Sequence, residues 1–213
     1  MTESKLVYFP VHAKGEMIRM LAAHAEIPHK DERVTGEEFA ARKAAGEFPV
    51  GQVPIWSENG KTYNQSCAIL RMLGQRHGYY SSEPERMWLI DSCVDQANDF
   101  LSKLYPTQMN KEKQDDLTHK TYIDQVTAMT EWIHKTLQEH KGDWIAGEKI
   151  SIGDFALASV IFSEVYNDSL TGGHHYRHPA KEIMEDKHNV KKYIERMEEA
   201  LHKYLKHRPE AGF

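Results

Sequence analysis

Hydrophobic and polar residues follow different rhythms in the two halves of the chain. Near the start, KLVYFPV is rich in strand-forming residues and stops at Pro10. GEMIRMLAAHAEI then repeats apolar residues at helical spacing through Met17, Ile18, Leu21, Ala22 and Ala25. HKDERVT reads as a second strand, GEEFAARKAAGE as a short helix ended by Gly46, and VPIWSENGKTYN as a hairpin turning at Asn59-Gly60. YNQSCAILRML, Tyr63 to Leu73, reads as the opening of another helix with Ile69, Leu70, Met72 and Leu73 on its apolar face. The order β-α-β-α-β-β-α predicts a small α/β layer fold.

From Ser82 onward the pattern is helical only. Ser82 is placed to cap a helix with Pro84 in its first turn, followed by Met87, Ile90, Val94, Ala97, Leu101 and Leu104. Pro106 is expected to interrupt or end it. A second helix carries Val126, Met129, Ile133 and Leu137, and the last carries Val190, Tyr193, Ile194, Met197, Leu201 and Leu205. ISIGDFALASV holds a capping box, with Ser151 as N-cap and Asp154 at the third helical position, flanked by Ile150 and Phe155 as a hydrophobic staple. The change of pattern sets the expected boundaries: residues 1–78 as one domain, 79–85 as a linker and 86–213 as an all-helical domain.

Composition narrows the class. The 213 residues are 40% hydrophobic and 28% charged, as in a soluble globular protein, and contain no apolar run of about 18 residues that would span a membrane. The opening MTESKLVYFP lacks the basic-then-apolar pattern of a signal peptide. A net charge of −5 argues against nucleic acid as the main partner. Cys67 and Cys93 form no metal or redox spacing, which suits a reducing cytosol. Of the thirteen histidines only His174, His175 and His178, in GGHHYRHP, are dense; their spacing repeats no ligand frame, and a solvated loop is expected there.

Four features carry candidate chemistry. The helix opening near Gln65 has no acid in its first turn, so its unpaired N–H groups and partial positive charge are left to an outside anion, with Gln65 and Ser66 as added donors. Val53-Pro54 precedes a strand; it is either an ordinary turn or a cis bend that leaves the Val53 backbone to grip an extended peptide. Tyr8 ends the first strand and is either core filler or a phenol that donates to a thiolate. One such bond lowers a thiol pKa of ~8.5 and raises the nucleophile population. The next helix, near Lys14 and Gly15, points its positive end the same way. Cys67 is either a modifiable thiol or a small buried residue.

Taken together, KLVYFPVHAKGEMIR, GQVPIWSENGKTYNQSCAILRML and WIAGEKISIGDFALA resemble the cytosolic glutathione transferases, in that order and over essentially the whole chain. DERVTGEEFAARK and the ending LKHRPEAGF look most like the sigma class, near the tyrosine-using mu, alpha and pi classes. The resemblance implies a thioredoxin-like α/β N-terminal domain, an all-α C-terminal helical domain, a homodimer and a cytoplasmic, detoxifying role, with glutathione as co-substrate and no metal. Tyr8 stands at the catalytic tyrosine that donates to the glutathione sulfur. By the same resemblance, Val53 with a cis Pro54 after it would pair with the cysteinyl backbone, Gln65 and Ser66 would hold the γ-glutamyl carboxylate, and Lys43 would bind the glycyl carboxylate. Phe39 replaces a tryptophan, Gln52 adds a side-chain contact, and Lys14 replaces an arginine, keeping charge and losing the planar fork. Asp99 matches an acid that crosses the dimer interface to the γ-glutamyl amine.

The electrophile site, for a small hydrophobic partner, is expected between the Tyr8 loop and the helical domain, with Phe9, His12, Tyr105 and Met109 as wall residues; plain helix packing is the alternative for Tyr105 and Met109. The implied activity is conjugation of glutathione to apolar electrophiles. Two other readings stand beside it: a glutathione-dependent prostaglandin D isomerase, and a crystallin-like structural protein that keeps the fold without turnover.

Overall fold

The computed structural model of the protein describes residues 4–108, 116–167 and 174–211. The N-terminal part folds as β1 (Lys5–Tyr8), α1 (Ala13–His24), β2 (Lys30–Arg33), α2 (Gly36–Ala44), β3 (Ile55–Glu58), β4 (Lys61–Asn64) and α3 (Ser66–His77). The sheet order is β2-β1-β3-β4, with β1 parallel to β2 and antiparallel to β3, a thioredoxin-like layer. Strand alternation divides its two faces. The cross-strand partners Leu6 and Trp56 join the main core with Met17, Ile18 and Leu70, whereas the neighbouring partners Val7 and Ile55 join Val34 and Phe48 in a smaller cluster. Asn59 (φ 48°) and Gly60 (φ 75°) both take left-handed backbone, as the tight β3–β4 turn requires.

The stretch beginning at Tyr63 is strand before it is helix. Tyr63 and Asn64 pair with Trp56 and Ile55, and α3 starts only at Ser66, because the hairpin's ladder competes for those two residues and wins. At the start of α2, Thr35 and Glu38 form a reciprocal capping box, a Thr-x-x-Glu signal present in the sequence.

The second part is helical: α4 (Pro84–Gln108), α5 (Asp116–Glu139), α6 (Ile152–Val160), α7 (His174–Glu185) and α8 (His188–His207). Glu83, not Ser82, caps α4. Pro84 at the first helical position makes Glu83 the preceding residue, and its carboxylate accepts from the N–H groups of Glu85 (3.0 Å) and Arg86 (2.7 Å). Pro106 lies inside α4, two residues before its last described residue, Gln108. The expected histidine loop is helical from His174 onward; His178 is exposed and faces Glu182 at 3.4 Å. A π-helical turn, Ile161–Val165, extends α6. No helix among the described residues is long and apolar enough to cross a membrane.

α6 is the hub of the helical part, with every residue from Ile152 to Val160 buried. The predicted capping box forms. Asp154, fully buried, accepts from Ser151 N–H (2.8 Å), Ser151 Oγ (2.9 Å), Ile145 N–H (3.0 Å) and Tyr193 Oη (2.8 Å). Burial pushes its carboxyl pKa up while these four donors pull it down. The start of α6 also joins the two parts. Ile152 N–H donates to Tyr79 O (2.9 Å), and a Cβ added at Gly74 would fall 2.3 Å from Ile152 Cγ2, so α3 meets α6 at a distance only glycine permits.

Candidate active site

Two helix starts meet at one cleft. Lys14, in the first turn of α1, and Gln65, Ser66 and Cys67, at the start of α3, line a cavity of about 450 Å³. Phe9, Phe39, Val50, Gln52, Val53, Pro54, Asp95 and Asn98 complete its walls. A non-glycine residue in left-handed backbone stands at each helix start: Ala13 (φ 39°), the first residue of α1, and Gln65 (φ 68°), just before α3. Such residues persist only where their surroundings hold them, and they concentrate at functional sites. No acid stands in the first turn of α3, so its N–H groups have no carboxylate of their own turn beside them.

Val53 lies just before β3, joined to Pro54 by a cis peptide bond. Phe39 of α2 packs edge-on against Phe9 (5.1 Å between centroids) and stacks on Phe48 (5.3 Å). Lys43 is exposed beside this wall, its Nζ 5.7 Å from the Phe39 ring centroid, and its aliphatic stem lies along Gly51. Lys14 reaches across to α4, where its Nζ donates to Ser102 Oγ at 3.4 Å.

Tyr8 is not one of the residues lining the cleft, but it touches two that are, Phe9 and Lys14. Its ring is in tilted contact with Phe9 (5.6 Å), and α1 packs against it so tightly that a Cβ at Gly15 would fall 2.5 Å from Cδ1. The backbone N–H of Lys14 donates to the phenolic oxygen at 3.3 Å. Burial pushes the phenol pKa up to about 12, against the opposing pull of that N–H and of the Arg19 cation, so the hydroxyl stays protonated at neutral pH.

Of the other expected residues, His12, Tyr105 and Asp99 lie outside these cleft walls. His12 is buried away from the cleft. Its Nδ1 is 3.4 Å from Asn167 Nδ2 and its Nε2 is 3.3 Å from Pro209 O. An amide N–H on one ring nitrogen and a carbonyl oxygen on the other select the neutral Nε2–H form, in keeping with a pKa that burial lowers. Tyr105 is largely buried, within electrostatic reach of Glu164, Tyr8 and Glu16, and burial raises its pKa. Asp99 is exposed on α4 and outside the cleft walls; Asp95 and Asn98 of the same helix are the ones that reach them, Asp95 held by Arg71 at 2.8 Å. Met109 lies outside the described residues. Cys67 lines the cleft, and burial pushes its thiol pKa up, so it is a poor nucleophile there.

Behind Tyr8 is an ion network that sequence reading missed. Glu16, fully buried, accepts from Arg208 (2.9 Å) and lies 3.5 Å from Arg19, itself 2% exposed. Arg19 also bonds both oxygens of Asp31 (3.1 Å each). The available signal was two charges three apart on the otherwise apolar face of GEMIR.

Comparison with known proteins adds an independent line. Residues 95–208 match the family model described as "Glutathione S-transferase, C-terminal domain". The hematopoietic prostaglandin D synthase of Gallus gallus is 32% identical over 157 residues, covering 73% of this chain and 76% of that protein. The glutathione S-transferase class-mu 28 kDa isozyme of Schistosoma japonicum is 25% identical over 215 residues, covering 98% and 100%. A Nu-class glutathione transferase from Haemonchus contortus superimposes with a TM-score of 0.81 at 27% identity, over the full length of both chains.

Proposed function

The chain belongs to the glutathione S-transferase family, and from that premise we propose that it binds glutathione in the 450 Å³ cleft, activates the thiol as a thiolate, and adds it to an apolar electrophile. The observation that carries this reading is the Tyr8 hydroxyl. A phenol kept neutral by burial, with Lys14 N–H already on its oxygen, has its own hydrogen to give to a sulfur anion. A hydrogen bond to a charged acceptor contributes ~1.5–3 kcal/mol, which lowers a thiol pKa by about one to two units.

The cleft suits the tripeptide in size and chemistry. Small-molecule pockets span ~300–1,000 Å³. The start of α3 with Gln65 and Ser66 would receive the γ-glutamyl carboxylate, the backbone of Val53 before Pro54 the cysteinyl unit, and Lys43 with Gln52 the glycyl end. Lys14 would add positive charge, and Phe39 would contribute an aromatic wall without an indole donor. Asp99 would act on the site of a second subunit, in a homodimer. Residues 1–78 would form the glutathione-binding domain and 86–213 the domain that completes the electrophile site, with Phe9 and Tyr105 on the shared side. Holding both reactants in one cleft removes the entropic cost of their encounter.

A second reading, glutathione-dependent isomerisation of a prostaglandin endoperoxide, is favoured by the name of the Gallus gallus relative. Purified protein assayed in parallel with a generic aromatic electrophile and with the endoperoxide separates the two. Conjugation with little isomerisation supports the first; the reverse supports the second. Loss of glutathione affinity in Ser66→Ala and Gln65→Ala tests the placement of the carboxylate, and unchanged affinity in both would refute it.

A further inference from the structure

All three nitrogens of the Arg19 side chain are engaged at once, with carboxylates and with loop carbonyls, Nη1 reaching both Glu16 Oε2 (3.5 Å) and the loop. Nε grips the carboxylate of Asp31 on β2. Nη1 donates to Val11 O (2.7 Å) and Nη2 to Phe9 O (3.2 Å), carbonyls on either side of Pro10 in the loop that leads from Tyr8 into α1. The guanidinium carbon also lies 5.6 Å from the Tyr8 ring centroid.

We propose that Arg19 is the positioning residue of Tyr8: it clamps the 9–12 loop in the one conformation that brings Lys14 N–H onto the phenolic oxygen. The inference rests on the reading of Tyr8 as thiolate donor. The chain of contacts is short. With Phe9 O and Val11 O pinned, the loop must turn into α1 within two residues, and Ala13 takes the left-handed conformation that closes the turn. A non-glycine residue stays there only under such constraint. The turn sets the N–H of Lys14 against the Tyr8 oxygen, and Gly15 lets the helix close on the ring. The guanidinium also places a buried cation beside the ring, where attraction favours the negative charge shared by phenol and thiolate.

Planarity is what makes the role specific. Two loop carbonyls and a carboxylate are met by donors fixed in one fork, which an ammonium on a flexible stem does not reproduce. Asp31 and Glu16 would still surround a lysine's charge, so Arg19→Lys removes the fork while keeping the cation.

The test compares the native protein, Arg19→Lys, Asp31→Asn and Tyr8→Phe by urea unfolding, glutathione affinity, ultraviolet titration of the bound thiol and the pH dependence of conjugation. Arg19→Lys is expected to bind glutathione within about threefold of native, to raise the bound-thiol pKa by about one unit, and to lose about tenfold in rate at pH 6.5 with recovery at high pH. Asp31→Asn, which weakens the anchor and spares the loop donors, is expected to lose stability without moving the thiol pKa. If Arg19→Lys fails to fold, Arg19→Met with Asp31→Leu removes both charges of that pair, a replacement often tolerated in interiors, while Glu16 keeps Arg208. That double variant should show the same upward shift. A folded Arg19 variant with an unmoved thiol pKa overturns the proposal, as does an equal shift in Asp31→Asn. If Tyr8→Phe shifts the pKa and the Arg19 variants do not, the role of Arg19 alone falls. If Tyr8→Phe leaves it unmoved, or the native protein binds no glutathione, the reading of Tyr8 falls and takes this inference with it.

Discussion

Lys14 and Tyr8 meet through backbone and side chain: the N–H at the first turn of α1 donates to the phenolic oxygen 3.3 Å away. A donor on that oxygen makes the phenol's hydrogen more acidic and a stronger donor in turn, while burial keeps the proton in place up to about pH 12. The pair is thus tuned to give a hydrogen bond, not a proton.

The same burial predicts behaviour in alkali. Tyr8 has its pKa raised from 10 to about 12, so between those values the folded state holds a proton that the unfolded state has released. Stability from this source is full below pH 10 and is lost as pH rises toward 12, by about 2 kcal/mol for Tyr8 alone. Tyr105, Tyr193 and Tyr204 are shifted in the same direction by burial. Urea midpoints should fall steeply above pH 10, and less so in Tyr8→Phe; equal falls in both would contradict the assignment.

His12 gives the opposite sign. Its folded pKa lies below 6.5, chiefly from burial, and Arg208 and Arg19 oppose protonation while Glu16 favours it. The neutral ring's contribution is present above pH 6.5 and declines as pH falls below it. His12→Asn should lower stability at pH 7.5 and flatten the decline between pH 7 and 5. A variant with the native pH slope would show that other groups set it, His24 being the first candidate, since burial lowers its pKa as well.

Replacing Asp154 with Ala would leave the N–H groups of Ser151 and Ile145 and the hydroxyl of Tyr193 without their acceptor in the interior. The expected cost is ~3–5 kcal/mol by denaturant unfolding. A loss below about 1 kcal/mol would show that the surroundings supply other acceptors.

Gly74→Ala tests the junction of the two parts. The new methyl falls 2.3 Å from Ile152 Cγ2 and should cost ~1–3 kcal/mol. Ile152→Ala in the same chain should return part of that loss, and additive effects would refute the contact.

How legible these features were depends on how local their causes are. The α/β order, the Asn59-Gly60 turn and the Ser151–Asp154 box rest on neighbours in sequence, and all were readable. The start of α4 was misplaced by one residue because Ser82 and Glu83 both carry capping oxygens, and the choice between them is made by Pro84. The π-helical turn at Ile161–Val165 and α7 have weak local signals; in α7, Pro179 argues against the helix that forms. At the cleft, Gln65, Ser66, Val53 and Pro54 were legible from a helix start without acid and a proline before a strand. Asp95 and Asn98 were not, because they reach the cleft only once α4 has packed beside it, nor was the Arg19–Asp31 pair, which forms only once β2 lies beside α1. The contacts of His12 with Asn167 and Pro209 join residues more than 150 positions apart, so no local pattern announces them.

The central claim, that Tyr8 holds a thiolate, is met most directly by glutathione conjugation to a generic aromatic electrophile from pH 5.5 to 9, in the native protein and in Tyr8→Phe. The native rate should persist well below the thiol's solution pKa of ~8.5, and the variant should lose ~10–100-fold at neutral pH with glutathione affinity within about threefold of native. A variant with the native rate and profile would contradict the account.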